Sequence, residues 1–408
     1  MEYFIRHKTI VAAVVALLFS SQMALAQKTK HSNRYYKQFR YAKEEFIPQP
    51  RFWGGIEYMS MWEQNGPLTV PLVTQNPNPF VLGAIDEVGT NIIYGNGSGQ
   101  NLNYYNSNGG RLTLGGWIDD YHLYGLEFNG FLLEKVYTNF DAAAHGGTFP
   151  VVSIPFFETS PSPGESAVSA FGNPNAVSVN TSSQLWGAEL NLIYNLSNML
   201  RYPTEVFAGF RFMSLDETLS LNDTIFDTTP PVTNGVVSFT DDFNTQNNFY
   251  GLELGARTKI VTQYKITLDV IAKVALGANA ELIDISGNTQ VVNGGLGQTT
   301  GIVNGGIFSQ QSNTGSFTHN TFAVLPEAQI KLGYMLAPNV HPYVSYDVIY
   351  LNNVVRPGQQ INRNINITEN PVLSGATAVT GPLSPTKPSF NETSFVVQGL
   401  TVGLEITF

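Results

Sequence analysis

Gly399-Leu400-Thr401-Val402-Gly403-Leu404-Glu405-Ile406-Thr407-Phe408 alternates apolar and polar residues without a break. Successive side chains of an extended strand point to opposite faces. Val402, Leu404, Ile406 and Phe408 therefore share one face, and Thr401, Gly403, Glu405 and Thr407 share the other. In a transmembrane β-barrel the apolar face of such a strand meets lipid and the polar face meets the barrel interior.

The same period of two recurs across 52–62, 110–118, 121–133, 184–195, 204–214, 246–261, 264–281, 321–335, 340–352 and 394–408, which makes ten strands. One face carries Ile56, Leu112, Leu126, Phe128, Trp186, Leu190, Phe210, Leu252, Leu268, Val324, Ile330, Val344 and their like. The opposite face carries Glu57, Arg111, Glu127, Glu189, Arg211, Glu253, Arg257, Asp269, Lys273, Glu327, Lys331, Asp347 and Glu405. The apolar face of the strand cores holds no Asp, Glu, Lys or Arg. A charge facing lipid at mid-bilayer costs about 2–4 kcal/mol, so this sorting is the one a membrane imposes.

Connection lengths point the same way. Long segments (63–109, 134–183, 215–245, 282–320 and 353–393) alternate with tight connections at Asp119-Asp120, Asn195–Pro203, Val261–Tyr264 and Leu336–Asn339. Loops beyond about 12–15 residues are uncommon in ordinary domains. Outer-membrane barrels, by contrast, pair short periplasmic turns with long extracellular loops. Trp62, Trp186, Tyr250, Phe322 and Tyr350 fall at the outer rim, and Tyr124, Tyr194, Tyr334 and Phe408 at the inner. Pro326, inside the eighth strand, lacks a ladder donor and calls for a bulge or a late strand start. The apolar run Phe149–Phe157 is either a further strand, giving twelve, or a loop packing on the rim or folding inward.

Arg6 and Lys8 precede an apolar run from Ile10 to Phe19, and Ala24-Leu25-Ala26 follows. That is a secretory signal, residues 1–26, with cleavage expected after Ala26. Residues 27–50 read as a flexible periplasmic lead-in, and 51–408 as the barrel. Without Glu2, Arg6 and Lys8 the chain has 19 basic against 30 acidic residues, a net −11. This balance argues against nucleic acid as a partner. Charged residues make up 13% and aromatic residues 12%. The usual charged share is about 25%. There is no cysteine, so no disulfide and no lipoprotein anchor.

Interior charges either line a pore or fill the lumen as ion pairs. Eight-stranded barrels are packed and sixteen-stranded ones hold a channel, so ten strands lie near the closed end. Eight interior acids against five bases would make an open path favour cations. A rim hydrolase would use His319 with Asp284, Asp216, Glu217, Asp241 or Asp242 near the loop roots; no nucleophile motif accompanies them, and no catalytic residue is assigned. Asp216, Glu217, Asn222, Asp223, Asp241 and Asp242 offer hard oxygen ligands suited to calcium, but in no defined calcium-loop spacing. No metal ligand or cofactor is assigned. Arg356-Pro357-Gly358 reads as a turn at a loop root. The partners expected are outer-membrane lipid and, for an open lumen, small solutes or ions.

Nearly the whole mature chain resembles the β-barrel porin family numbered seven among such classes, abundant in planctomycetes. The resemblance runs through Arg51-Phe52-Trp53, Glu57-Tyr58, Met61-Trp62 and Gly66-Pro67-Leu68. It continues through Gly110–Gly115, Leu185–Asn191, Gly209–Phe212, Phe249–Gly251, Lys273–Gly277, Ile285–Gly287 and Phe322–Glu327. Asn353-Val354-Val355-Arg356-Pro357-Gly358 is its most specific segment. The resemblance implies an outer-membrane barrel with a pore; with the acid-rich interior, the expectation is passive passage of small solutes or cations. By likeness to outer-membrane barrels generally, Leu404, Ile406 and Phe408 would also be the signal read by the barrel-assembly machinery. A closed barrel serving surface adhesion or envelope structure through its long loops is the rival expectation.

Overall fold

The computed structural model describes residues 50–145, 150–169, 173–197, 200, 202–228, 234–261 and 264–408. The signal segment 1–26 and residues 27–49 of the lead-in lie outside the described residues. Ten strands close a ring: β1 (Phe52–Glu63), β2 (Asn106–Trp117), β3 (Tyr124–Leu133), β4 (Pro174–Asn195), β5 (Thr204–Asp227), β6 (Gly235–Val261), β7 (Ile266–Val292), β8 (Gly315–Tyr334), β9 (Val340–Val355) and β10 (Glu392–Thr407). Each strand pairs antiparallel with its sequence neighbours in this set, and β10 closes the ring on β1, from Trp53 opposite Thr407 to Glu63 opposite Val397. Closure gives every strand of the ring a partner on both sides, as a strand exposed to lipid requires.

The expected faces are the observed ones. Ile56, Leu252, Leu254 and Val402 face outward and exposed, while Glu57, Arg111, Arg211 and Glu253 face inward and buried. Aromatic rings band both rims. Trp186, Phe212 and Tyr250 pack tilted in a row at one rim, with ring centroids 4.7 and 5.1 Å apart, and Tyr124 packs on Tyr194 at the other at 5.3 Å. Such belts sit at the membrane–water interfaces.

Four strands run far past the outer belt. β4 to β7 contain 22, 24, 27 and 27 residues. A spanning strand needs about 9–11. The alternation inverts where they leave the lipid. Below the belt, Phe210 points out and Arg211 in; above it, Leu219, Leu221 and Ile225 point in, while Ser220, Asn222 and Thr224 point out. The register is unbroken through this change, so one continuous strand serves two solvents. Much of what reads as loop at 215–245 and 282–320 is therefore strand.

The loops fold inward on this wall. A strand at Val136–His145 pairs with the outer half of β4, and a second sheet gathers Pro71–Asn76, Asn91–Gly95, Val151–Ser160, Gly164–Ser169 and Asn364–Asn366. The apolar run ending at Phe157 is thus a loop strand and not part of the ring; Phe149 itself lies outside the described residues. Leu72, Ile154, Phe156, Val177, Leu219, Phe243, Ile283, Ile361 and Ile365 are buried together as the core of an extracellular head.

Pro326 stays within β8, opposite Val274 of β7. Pairing of β8 with β9 begins only at Glu327, one residue later. Beyond that point side-chain amides replace the ladder: Asn352 accepts from Val324 N at 2.6 Å, and Asn353 donates to Phe322 O at 2.9 Å. The missing proline donor is accommodated by ending one edge there.

Candidate functional site

The lumen brings all thirteen sequence-assigned charges into ion pairs: nine form one linked set, Arg257 with Glu127 a second, and Asp269 with Glu405, through Lys259, a third. Some pairs join neighbouring strands. Arg111 of β2 meets Glu57 of β1 at 3.1 Å, and Arg211 of β5 meets Glu189 of β4 at 3.3 Å. Others cross the bore between strands three or four places apart. Arg211 reaches Glu327 of β8, Lys273 of β7 reaches Glu189, and Arg257 of β6 reaches Glu127 of β3 at 3.1 Å. Lys331 of β8 reaches Glu57 at 3.3 Å. Asp347 takes Arg111 at 3.0 Å together with Ser345 and Thr401. Asp269 and Glu405 share Lys259, at 3.6 and 3.8 Å.

Neutral side chains complete the network. Tyr343 donates to Glu57 at 2.5 Å, Trp53 to Glu127 at 2.8 Å and Asn191 to Glu253 at 2.9 Å. Glu205 pairs with Arg257, and Lys259 with Asp269 and Glu405, from inward positions of β5 and β6, though neither was singled out from the sequence. A side chain that spans the bore occupies it. About 30 Å³ of space for water centres remains around Arg111, Lys273 and Lys331, and about 10 Å³ between Arg211, Glu189 and Glu327. One water needs about 10–15 Å³, so each of these two voids has the size of one to a few waters. A wider recess of about 280 Å³ opens at the turn end, near Trp117, His122 and Lys259.

Above the charges lies an apolar layer. Met59, Met61, Leu133, Leu185, Met213, Leu215, Phe249, Leu325, Ile349, Leu351, Phe395 and Val397 all point inward and are 0% exposed. The sequence carries a signal for this layer. Alternation fails in Phe131-Leu132-Leu133, Phe212-Met213 and Phe395-Val396-Val397, where both faces are apolar.

Arg356 roofs the layer. Its guanidinium forks onto Glu217, with Nη2 to Oε1 at 2.7 Å, and lies over the Phe395 ring at 5.4 Å. Both partners are fully buried. The turn at 357–359 anticipated from the sequence is present. It also brings Gly358 so close to Pro67 that a Cβ there would lie 2.5 Å from the Pro67 carbonyl oxygen. The Gly66-Pro67-Leu68 and Arg356-Pro357-Gly358 segments thus meet across the mouth of the barrel.

The calcium and hydrolase constellations do not assemble. Parity separates them, since Glu217, Asp223 and Asp241 point inward while Asp216, Asn222 and Asp242 sit on the alternate face. Asp223 bonds Asn175 at 3.1 Å, and burial pushes its carboxyl up to about 7. Asp241 accepts the backbone N–H groups of Ile307, Phe308 and Ser309, and burial raises its carboxyl as well. His319 is not beside Asp284, which pairs with Ser316; its register partner is Glu281. On the head, an open recess of about 380 Å³ is lined by Asn313, Gln360, Asn362, Arg363, Lys387 and Asn391 among others.

A ten-stranded ring with lipid-facing apolar residues, aromatic belts and a charged interior defines an outer-membrane β-barrel. The chain belongs to the family described as "Putative beta barrel porin-7 (BBP7)", whose profile matches residues 53–408. The outer membrane is its location. Among solved structures, it is similar to the outer membrane protease OmpT from Escherichia coli, at 9% identity and TM-score 0.40, covering 89% of this chain and 98% of that one. The CymD monoaromatic hydrocarbon channel is matched at 9% identity and TM-score 0.18, covering 88% and 89%. A Pseudomonas aeruginosa FadL homologue is matched at 7% and 0.22, covering 88% and 90%. No curated protein matches the chain.

Proposed function

We propose that this protein acts from its extracellular head, as a closed outer-membrane barrel that presents a folded surface for adhesion or envelope organisation, and that it is not an enzyme. The observation that carries this reading is the doubly blocked lumen, in which a layer of cross-bore ion pairs lies under a layer of fully buried apolar side chains. The membrane-spanning part then serves as an anchor, and the amide-lined recess on the head suits polar ligands. Lipid is the partner of the apolar belt. Leu404, Ile406 and Phe408, on the strand that closes the ring, are the residues proposed to be read during assembly.

Passive passage of small solutes or cations is the second reading, supported by family membership and by the surplus of acids over bases inside. It requires both layers to move. Single-channel recording of the folded, signal-cleaved protein in a planar bilayer at two salt gradients separates the two. The expected result is no discrete opening. Steps of conductance with a cation-shifted reversal potential would establish the pore and end the closed-barrel reading.

A further inference from the structure

Glu281, His319 and Glu392 come from three different strands and converge just outside the outer aromatic belt. Glu281 and His319 face each other in the β7–β8 register. His319 Nδ1 lies 3.1 Å from Glu281 Oε2 and 3.8 Å from Glu392 Oε1, and the three atoms all fall within 4.8 Å of one another. Metal–nitrogen and metal–oxygen bonds of about 2.0–2.2 Å at tetrahedral angles place ligand atoms about 3.4 Å apart. The observed spacings bracket that value.

Two further features point to a ligand. The Glu281 side chain is 0% exposed, and its second oxygen, Oε1, has no hydrogen-bond partner. A buried carboxylate is ordinarily paired or coordinated. The place itself also lacks a backbone clamp. Beyond Pro326, β8 keeps its ladder to β7 but not to β9, so the outer end of β8 is a free edge beside the first residue of β10. Phe390 packs on the His319 ring at 5.2 Å and holds it toward the carboxylates.

We propose that Glu281, His319 and Glu392 form a divalent transition-metal site that joins the free edge of β8 to the start of β10. Imidazole with two carboxylates suits zinc. Calcium takes 6–8 oxygen ligands and magnesium an octahedral oxygen shell, so a nitrogen with two carboxylates fits neither well. Water would complete the shell on the exposed side of His319.

The test is isothermal titration of the untagged, folded, chelator-stripped barrel in detergent with zinc chloride, repeated with calcium chloride. One equivalent of zinc should bind, and calcium should not compete at a hundredfold excess. His319→Ala and Glu281→Gln should each weaken zinc binding at least tenfold, and His122→Ala, at the opposite end of the barrel, should leave it unchanged. Cobalt substitution provides a second readout, a visible absorption band present in the wild type and absent in His319→Ala. Heat-modifiable gel migration verifies that each variant is folded, and Glu392→Gln stands in for any that is not. Absence of zinc binding, or zinc binding in His319→Ala and Glu281→Gln equal to that of the wild type, overturns the proposal.

Discussion

Arg211→Met is the perturbation that tests most directly what fills the bore. The guanidinium is 3% exposed and ion-paired to Glu253 at 2.8 Å, to Glu189 at 3.3 Å and to Glu327. Methionine keeps most of the volume and removes the charge. Around the site Glu57, Glu189, Glu253, Glu327 and Asp347 would then face only Arg111, Lys273 and Lys331. An ion pair at about 4 Å contributes roughly 4 kcal/mol at an effective dielectric near 20, offset by several kcal/mol of desolvation per ion. The net worth of each pair is thus small, but removing one partner leaves buried carboxylates without compensation, a loss of about 3–5 kcal/mol. Urea unfolding of the protein in lipid vesicles, followed by the fluorescence of its four tryptophans, measures this. Adding Glu189→Gln and Glu253→Gln to the Arg211→Met background should recover most of the loss. A single-variant effect below about 1 kcal/mol would refute a desolvated network and imply that water reaches these charges. Arg211→Met should also stay silent in planar bilayers, because the apolar layer above it is untouched.

Glu217→Gln strands the fully buried Arg356 cation and should destabilise the barrel by about 3–5 kcal/mol in the same urea assay. The double variant Glu217→Met with Arg356→Met should be markedly more stable than Glu217→Gln; if the two are equal, the pair is not a desolvated unit. Asp223 gives a pH signature. Its folded carboxyl lies at about 7, above the usual 3.8, because burial disfavours its charged form. A raised folded value means that its stabilising contribution is complete below about pH 4 and is lost as pH rises through 7. A shift of about three units is worth up to about 4 kcal/mol. Wild type should therefore lose stability between pH 5 and pH 8 relative to Asp223→Asn, as read from urea midpoints at the two pH values. Parallel pH dependences in the two proteins would remove Asp223 from this role.

The spanning ring was legible because a membrane leaves a strong periodic mark. Each of the ten strands was placed from the face that lipid forbids to charge, and Val402, Leu404 and Ile406 alone nearly suffice for β10. The head was less legible because its strands carry the opposite phase. Leu219-Ser220-Leu221-Asn222 alternates as cleanly as Phe210-Arg211-Phe212, yet a reader searching for apolar-out, polar-in strands stops at the belt. Pairing across the lumen was hidden for a different reason. Parity places Arg211 and Glu327 inside, but only the closed ring brings β5 and β8 face to face. The site at His319 shows the same limit, since Glu281 becomes its partner through register and Glu392 through the end of a loop, and no linear spacing announces either.

Whether the lumen opens spontaneously is an energetic question that the apolar layer decides. For a hydrated ion to pass, side chains such as Met59, Met61, Leu133, Phe249, Leu325 and Leu351, all 0% exposed, would have to withdraw from one another and face water. Exposing a buried side chain of this size costs about 1.5–3 kcal/mol. Six of them amount to roughly 9–18 kcal/mol before any ion pair is broken, which holds a wetted state to a population below about one in a million. The ion-pair layer beneath adds its own barrier, since pairs that cross the bore must separate while still excluded from bulk water. Gly358 and Arg356 then tie the roof of the layer to the 66–68 segment, so the layer cannot lift without unpacking the head. A membrane-spanning ring closed by these successive devices holds its extracellular end rigidly in register. The long strands β4 to β7 carry that rigidity outward into the head, which is what the proposed anchor role requires.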